Sequence, residues 1–265
     1  MKVSMLMPIY HKTNPKHLDL AIYSIMNQTR KIDEFVIVCD GPISDMCEKV
    51  LKKYKNDLTV YRLAKNQGTG YALRYGVTKC KYEYIARHDS DDIANEDRIE
   101  KQLKYLKQHK DVDILGGQII ELYNNKVFGV RRVPLEDKDI KKYMKKRCPF
   151  NHQTVIMKKK SVMSVGNYPV YRNAQDYSLW INSYQLKMAN LSDILTRVRV
   201  DDDAYKRRGN KKSIKYMIEM EKNMLDKGII NKIEYYRNIL IRCIVIILPN
   251  FIRKWLYYNW LRENK

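Results

Sequence analysis

The chain has 265 residues, of which 45% are hydrophobic and 31% charged; that balance supports a packed body of one large domain, or one domain with a tail, and excludes a disordered or fibrous chain. Its 51 Lys and Arg outnumber 30 Asp and Glu, giving a formal net charge of +21. A surplus of that size attracts phosphates, nucleic acid or anionic lipid headgroups and does not choose among them.

The segment from Met1 to Pro8 is too short in apolar residues for a secretory signal, and Val3 to Ile9 reads as a first strand. Leu18, Ala21, Ile22 and Ile25 then recur at the spacing of a one-sided helix. Phe35 to Val38 and Leu58 to Tyr61 predict two more strands, Gly70 to Cys80 a helix, and Tyr82 to Ala86 a fourth strand. Strands separated by helices imply right-handed crossovers and a mostly parallel sheet covered on both faces, a Rossmann-like α/β half. Ile99, Gln102, Leu103 and Leu106 mark a further helix, and Val112 to Leu122 a strand region. Lys138 to Arg147 is a charged segment with six basic residues and one acidic. Gln153 to Met157 reads as a strand, Ala174 to Tyr184 as a helix, and Ser213, Ile214, Met217, Ile218, Met224 and Leu225 as one face of an amphipathic helix. The apolar run from Ile239 to Ile252 is broken by Arg242, Pro249 and Asn250, so no spanning helix is expected. Cys39, Cys47, Cys80, Cys148 and Cys243 never form a CxxC pair, which favours neither a disulfide framework nor a zinc site and fits a reducing cytosol.

Ligands of open α/β sheets sit beyond the carboxyl ends of the strands. Here the first strand ends in Pro8-Ile9-Tyr10, the second in Asp40-Gly41, and the fourth in Arg87-His88-Asp89-Ser90-Asp91-Asp92. Carboxylates that crowded repel one another unless a cation neutralises them, and hard divalent cations prefer oxygen ligands. The Asp89 and Asp91 pair could hold Mg²⁺ or Mn²⁺ with positions left open for a diphosphate; alternatively, Asp91 or Asp92 caps the helix carrying Ile99. Asp40-Gly41 alone is also a common turn. The stretch Lys65-Asn66-Gln67-Gly68-Thr69-Gly70 allows close backbone approach to a ligand, but it is neither a Rossmann glycine fingerprint nor a Walker P-loop. That speaks against dinucleotide oxidoreduction and P-loop NTP hydrolysis.

In chain order, Met7-Pro8-Ile9-Tyr10, Ser24 to Thr29, Phe35 to Gly41, Asn66-Gln67-Gly68, Ala86 to Asp92, Asn151 to Thr154 and Asn173 to Trp180 together resemble glycosyltransferase family 2, over residues 1 to about 205. The resemblance implies the GT-A fold, with residues 1–100 as the nucleotide-binding half, 101–205 as the acceptor-binding half, and 206–265 as a basic amphipathic helical extension. It implies that Pro8, Tyr10, Asp40 and Asn66 hold the nucleoside of a UDP-sugar, with Asp40 accepting from the uracil imide. Asp91 would ligate Mn²⁺ or Mg²⁺, and Asp89 would face the ribose or the metal's water shell. Asp176 falls at the family's catalytic base, where Gln175 replaces the usual Glu; the alternative for Asp176 is a helix N-cap. His152 lies in a segment near the donor sugar in similar enzymes, and Trp180 reads either as acceptor pocket or as core. Arg207, within Lys206-Arg207-Arg208, would sit on a loop closing over the diphosphate, or in a solvated charge run.

Tyr235 to Arg262 mixes aliphatic and aromatic residues with Arg237, Arg242, Arg253, Lys254 and Arg262, a composition that suits an anionic headgroup region or a helix packed on the body. The expected activity is an inverting, metal-dependent transfer of a hexose from a UDP-sugar to a polyprenyl-diphosphate-linked saccharide in O-antigen or capsule assembly. Glucose or galactose is expected ahead of the N-acetyl forms. The expected place is cytoplasmic, peripheral on the inner face of the membrane, with no nucleic-acid partner. A nucleic-acid-binding protein and a non-catalytic nucleotide-sugar binder are the rival classes.

Overall fold

The computed structural model describes residues 1–170, 174–200 and 213–248. Its first half alternates β1 (Val3–Ile9), α1 (Pro15–Met26), β2 (Glu34–Cys39), α2 (Asp45–Lys53), β3 (Thr59–Arg62), α3 (Thr69–Lys79) and β4 (Tyr84–Arg87). The second half contains β5 (Ile93–Ala94), α4 (Arg98–Gln108), β6 (Ile114–Tyr123), β7 (Lys126–Arg131), α5 (Asp137–Met144), β8 (Ile156–Lys158), α6 (Lys159–Ser164), α7 (Gln175–Asn182) and β9 (Met188–Arg199). Two further helices follow, α8 (Ser213–Asp226) and α9 (Lys232–Ile247).

The strands form one sheet in the order β3-β2-β1-β4-β8-β6-β9-β5, with β7 paired to β6. The parallel expectation is met from β3 to β4. Beyond β4 the sheet is mixed: β8 runs antiparallel to both β4 and β6, whereas β9 runs parallel to β6. Alternating side chains divide the core between the two faces of the sheet. Met5, Met7, Phe35 and Ile37 pack with the α1 stripe of Leu18, Ala21, Ile22 and Ile25. Leu6, Val36 and Val38 pack with Ala72, Leu73 and Val77 of α3. That second layer continues through Trp180 into Met220, Met224, Ile229 and Ile230, so the C-terminal helices share the core of the body. Among the described residues, no helix is long and apolar enough to cross a membrane.

Several elements differ from the sequence reading for local reasons. The strand expected over Gln153 to Met157 begins as a 3-10 turn, His152–Thr154, because the Asn151 carbonyl takes both the Thr154 N–H and its hydroxyl; β8 starts only at Ile156. The charged segment is α5, which buries Ile140 and Met144 four residues apart and pairs Lys141 with Asp137 at 2.9 Å. Hairpin β6-β7 turns on Asn124 and Asn125, both left-handed (φ 50° and 60°), a two-residue geometry that asparagine tolerates.

The end of β2 is pinned against the loop before α3. Gly41 has φ +81°, and a Cβ there would lie 2.6 Å from the Asn66 backbone nitrogen. Gly41→Ala is therefore expected to destabilise the fold by about 2 kcal/mol through backbone strain and collision. Urea unfolding measures this; an unchanged midpoint would contradict the close packing described.

Candidate active site

At the carboxyl edge of the first strands, Asp40 N donates to the Ile9 carbonyl at 2.7 Å, which sets Asp40 beside Tyr10 at the rim. The Asp40 carboxylate is buried and accepts three N–H groups: Gln67 N at 2.7 Å on Oδ1, and Gly68 N at 2.8 Å and Asn66 Nδ2 at 2.9 Å on Oδ2. These bonds reach 26 to 28 residues along the chain, so Asp40 is a tertiary clamp and more than a local turn. Pro8 is half-buried on β1 opposite Val38, and the Tyr10 ring is 41% exposed. Pro8, Tyr10, Asp40 and Asn66 are thus gathered on one rim.

The neighbouring β4 end carries the acidic motif. Arg87 is buried and grips Asp89 with both guanidinium nitrogens, one at 2.6 Å from Oδ2 and the other on Oδ1. Beneath it, fully buried Arg98 donates to the Arg87 carbonyl at 2.7 Å and to His88 Nδ1 at 3.1 Å. A guanidinium only donates, so Nδ1 accepts and Nε2 carries the proton, 3.2 Å from the Asp92 carbonyl. Gln102 extends the network, accepting from Arg98 Nε at 3.1 Å and donating to the Thr154 carbonyl at 2.8 Å. Burial, reinforced by Arg98 and Arg87, holds His88 well below the usual histidine range.

Neither Asp91 nor Asp92 caps the following helix, correcting that alternative: α4 begins after Asp97. Asp92 is buried and accepts from Arg199 N at 3.0 Å, while the Arg199 guanidinium takes the Asp91 carbonyl. The motif's backbone is therefore held by the end of β9. No side chain among the described residues pairs with the Asp91 carboxylate, which is open to solvent but walled by protein. The surrounding protein and then the Asp89 charge push Asp91 up to about 6, and burial pushes Asp92 well up. One ligand oxygen from each of Asp89, Asp91 and Asp92 falls within 4.8 Å of the others. Three crowded carboxylates, one of them unpaired, fit a hard divalent cation.

Asp176 stands on the first turn of α7. It is the second helical residue and not the N-cap, which is Ala174; the capping alternative is corrected. Gln175 opens the helix, half-buried. The Cys148 thiol lies 3.9 Å from Asp176 Oδ2. His152 Nε2 meets the buried Tyr168 hydroxyl at 2.8 Å, and its ring contacts Trp180 edge-on at 5.8 Å between centroids. Trp180 is fully buried against Phe150 and leaves no surface for a sugar, so the core alternative holds for it. Burial, then Arg87, keeps His152 neutral. Burial pushes the Tyr168 phenol up, and both Asp176 and Asp89 add to that rise. The two carboxylates from opposite halves thus act on one tyrosine.

Arg87, Arg98 and Tyr168 were missed by sequence reasoning. Arg87 ends an apolar strand, Arg98 starts an amphipathic helix, and Tyr168 follows Gly166-Asn167, none of them a catalytic signature. Asn173, Arg207 with its basic neighbours Lys206 and Arg208, and the tail beyond Leu248 lie outside the described residues.

Comparison with known proteins identifies the family and the fold. A glycosyltransferase of Haemophilus influenzae described as uncharacterized is 37% identical over 99% of this chain and 100% of its own. A UDP-Gal:alpha-D-GlcNAc-diphosphoundecaprenol beta-1,3-galactosyltransferase of Escherichia coli is 33% identical over 99% and 97%, and the amylovoran biosynthesis glycosyltransferase AmsE of Erwinia amylovora is 33% identical over 96% and 97%. Among solved structures, S. aureus TarS 1-349 in complex with UDP-GlcNAc superposes with a TM-score of 0.66 at 18% identity, covering 85% of this chain and 67% of that one. The mannosyltransferase PcManGT from Pyrobaculum calidifontis, in complex with GDP-Man and Mn2+, does so with 0.65 at 13%, covering 94% and 70%. These neighbours share the GT-A fold. The sequence model of glycosyl transferase family 2 matches residues 4–166, and the chain belongs to that family.

Proposed function

We propose that this family 2 member transfers a hexose, glucose or galactose ahead of their N-acetyl forms, from a UDP donor to a hydroxyl of a polyprenyl-diphosphate-linked saccharide, inverting the anomeric centre to a β-linkage during O-antigen or capsule repeat-unit assembly. The observation that carries this reading is the cluster of Asp89, Asp91 and Asp92 at the sheet rim, its ligand oxygens within 4.8 Å of one another, with Asp89 and Asp176 both acting on the Tyr168 that meets His152. The activity for which the Escherichia coli relative is named supports the donor and acceptor classes.

Pro8, Tyr10, Asp40 and Asn66 hold the nucleoside. A carboxylate has about four lone-pair sites; Asp40 uses three on its own loop, leaving one for the uracil imide. Asp91 and Asp89 would hold Mn²⁺ or Mg²⁺, which when bound neutralises charge on the departing diphosphate. Arg87 keeps Asp89 in a fixed orientation. Asp176 takes the proton of the acceptor hydroxyl as its oxygen bonds to the anomeric carbon and the bond to the UDP oxygen breaks. Gln175 brings no second charge, so Asp176 acts alone. His152, held by Tyr168, lies toward the donor sugar, and Trp180 supports it from the core. Arg207 would close over the diphosphate.

The outer face of α9 exposes Ile233, Tyr236, Leu240 and Ile244, three or four residues apart. With the net charge of +21, that stripe supports peripheral docking on the anionic inner face of the cytoplasmic membrane, where the acceptor's lipid resides.

A screen of UDP-sugars against a synthetic sugar-diphosphate-lipid, with linkage read by NMR, tests the reaction; retention of anomeric configuration would refute single displacement. Asp176→Asn is expected to lower kcat by about 1,000-fold while leaving UDP affinity in place. Asp91→Asn should abolish the Mn²⁺ dependence of UDP binding in calorimetry and lower kcat roughly 100-fold or more. Leu240→Ser combined with Ile244→Ser should weaken co-sedimentation with phosphatidylglycerol vesicles by about tenfold. Equal sedimentation of both proteins would remove α9 from the docking surface.

A further inference from the structure

We propose that the C-terminal helix pair belongs to the active centre: Arg242, braced by Glu221, positions Tyr177 and through it the Asp176 carboxylate on the first turn of α7. This rests on the reading of Asp176 as the base.

A helix start is ordinarily fixed by a capping side chain that accepts its free N–H groups. At α7 the N-cap is Ala174, which has no acceptor to offer and sits in the left-handed region at φ 58°. A non-glycine residue persists there only when its surroundings over-determine it. The turn that presents Asp176 therefore needs an anchor elsewhere, and the next residue supplies one. The Tyr177 hydroxyl donates to the Met144 carbonyl and accepts from the Arg242 guanidinium at 3.2 Å. The guanidinium carbon also lies 5.4 Å from the centre of the Tyr177 ring.

Arg242 is held in turn. Its Nε donates to Glu221 Oε1 at 2.7 Å, and the Glu221 side chain is fully buried. Glu221 Oε2 accepts from Asn238 Nδ2 at 3.0 Å. Asn238 and Arg242 also donate to the Lys145 and Lys146 carbonyls, at 2.8 and 3.2 Å, where α5 leaves acceptors unsatisfied. That segment runs directly into Cys148, whose thiol approaches Asp176. Asp176 is thus bracketed by two segments that both end on Arg242. A buried ion pair is a poor source of stability compared with apolar packing, so its presence here is accounted for by the geometry it imposes. Glu221 and Arg242 lie outside residues 4–166, the span that the family's sequence model matches.

The experiment compares Tyr177→Phe, the paired change Glu221→Met with Arg242→Met, Arg242→Lys and Asp176→Asn. Each is assayed for steady-state transfer from the UDP-hexose that the screen above selects, for calorimetric UDP binding with Mn²⁺, and for thermal unfolding. Tyr177→Phe keeps the ring and the ion pair, and the paired change leaves no lone buried charge, so both are expected to fold. Each should lower kcat by about 10- to 100-fold, the cost of misplacing a reacting group by an ångström, with donor KM and UDP affinity unchanged. Arg242→Lys should recover part of the loss. Combining Tyr177→Phe with the paired change should lower kcat by less than the product of the two separate effects, because both remove the Arg242 bond to the Tyr177 hydroxyl. If Tyr177→Phe and the paired change keep wild-type kcat while Asp176→Asn is inactive, the positioning role is overturned and the base reading stands. If Asp176→Asn itself transfers sugar, the base reading falls and the positioning role with it.

Discussion

The Arg87 guanidinium holds both oxygens of Asp89 from inside the protein, and the rest of the site is arranged around that pair. Buried charge is tolerated only when paired and hydrogen-bonded. Three carboxylates at the end of one buried strand repel one another, and the buried Arg87, paired with Asp89, offsets part of that repulsion. The positive field of Arg87 has a second effect. His88 and His152 are both buried close to it, and both are held neutral. Neither imidazole can then act as a cationic partner for a phosphate. In the proposed reaction, positive charge for the diphosphate would come from a cation at the rim, where the Asp91 carboxylate pairs with no other side chain among the described residues.

The two rim carboxylates follow opposite strategies. Asp40 is nearly saturated by its own chain and spends its charge on fixing the loop over Asn66 to Gly68, so the rim proposed to hold the nucleoside is built before any ligand arrives. Asp91 has its backbone clamped by Arg199, and its carboxylate pairs with no side chain among the described residues. Preorganised hydrogen bonds suit recognition of a neutral base edge; an under-compensated charge suits a cation that must also share oxygens with a phosphate. Both arrangements lie beyond the carboxyl ends of parallel strands, β2 and β4, that flank β1, where open α/β sheets bind ligands.

The parallel half of the sheet was legible because its strands are continuous apolar runs separated by one-sided helices, and the two periods differ sharply. The same clarity put Asp40, Asp89 and Asp91 at strand ends, where their chemistry could be read. Legibility failed where burial does not follow a simple period. β9 alternates poorly because its register slips twice against β6, between Gly116 and Ile119. α2 buries only Cys47 and Leu51, too few for a stripe. The supporting residues were invisible for a different reason: Arg98 is a buried cation at a position that looks like an ordinary solvated helix start, and only the tertiary pairing with His88 and the Arg87 carbonyl explains it. Trp180 shows the converse. Its sequence context allows either acceptor pocket or core, and the helix turns it into the core.

The C-terminal helix α9 joins the surface of the molecule to its chemistry because its two faces have separate duties. Asn238 and Arg242, four residues apart, face the body and hold Glu221, α5 and Tyr177. Leu240 lies two residues from each, a rotation of about 200° on an α-helix, and belongs to the exposed apolar stripe with Ile233, Tyr236 and Ile244. A helix has little freedom to bend between adjacent turns, so whatever seats the outer face also fixes the inner one. For the lipid-linked acceptor proposed above, the substrate reaches the enzyme only at a membrane surface, where docking by the stripe would steady the helix proposed to hold the base in place. The Arg242–Tyr177 link from α9 to α7 is, on that proposal, of more use to an enzyme whose acceptor is confined to a bilayer than to one whose acceptor diffuses in water.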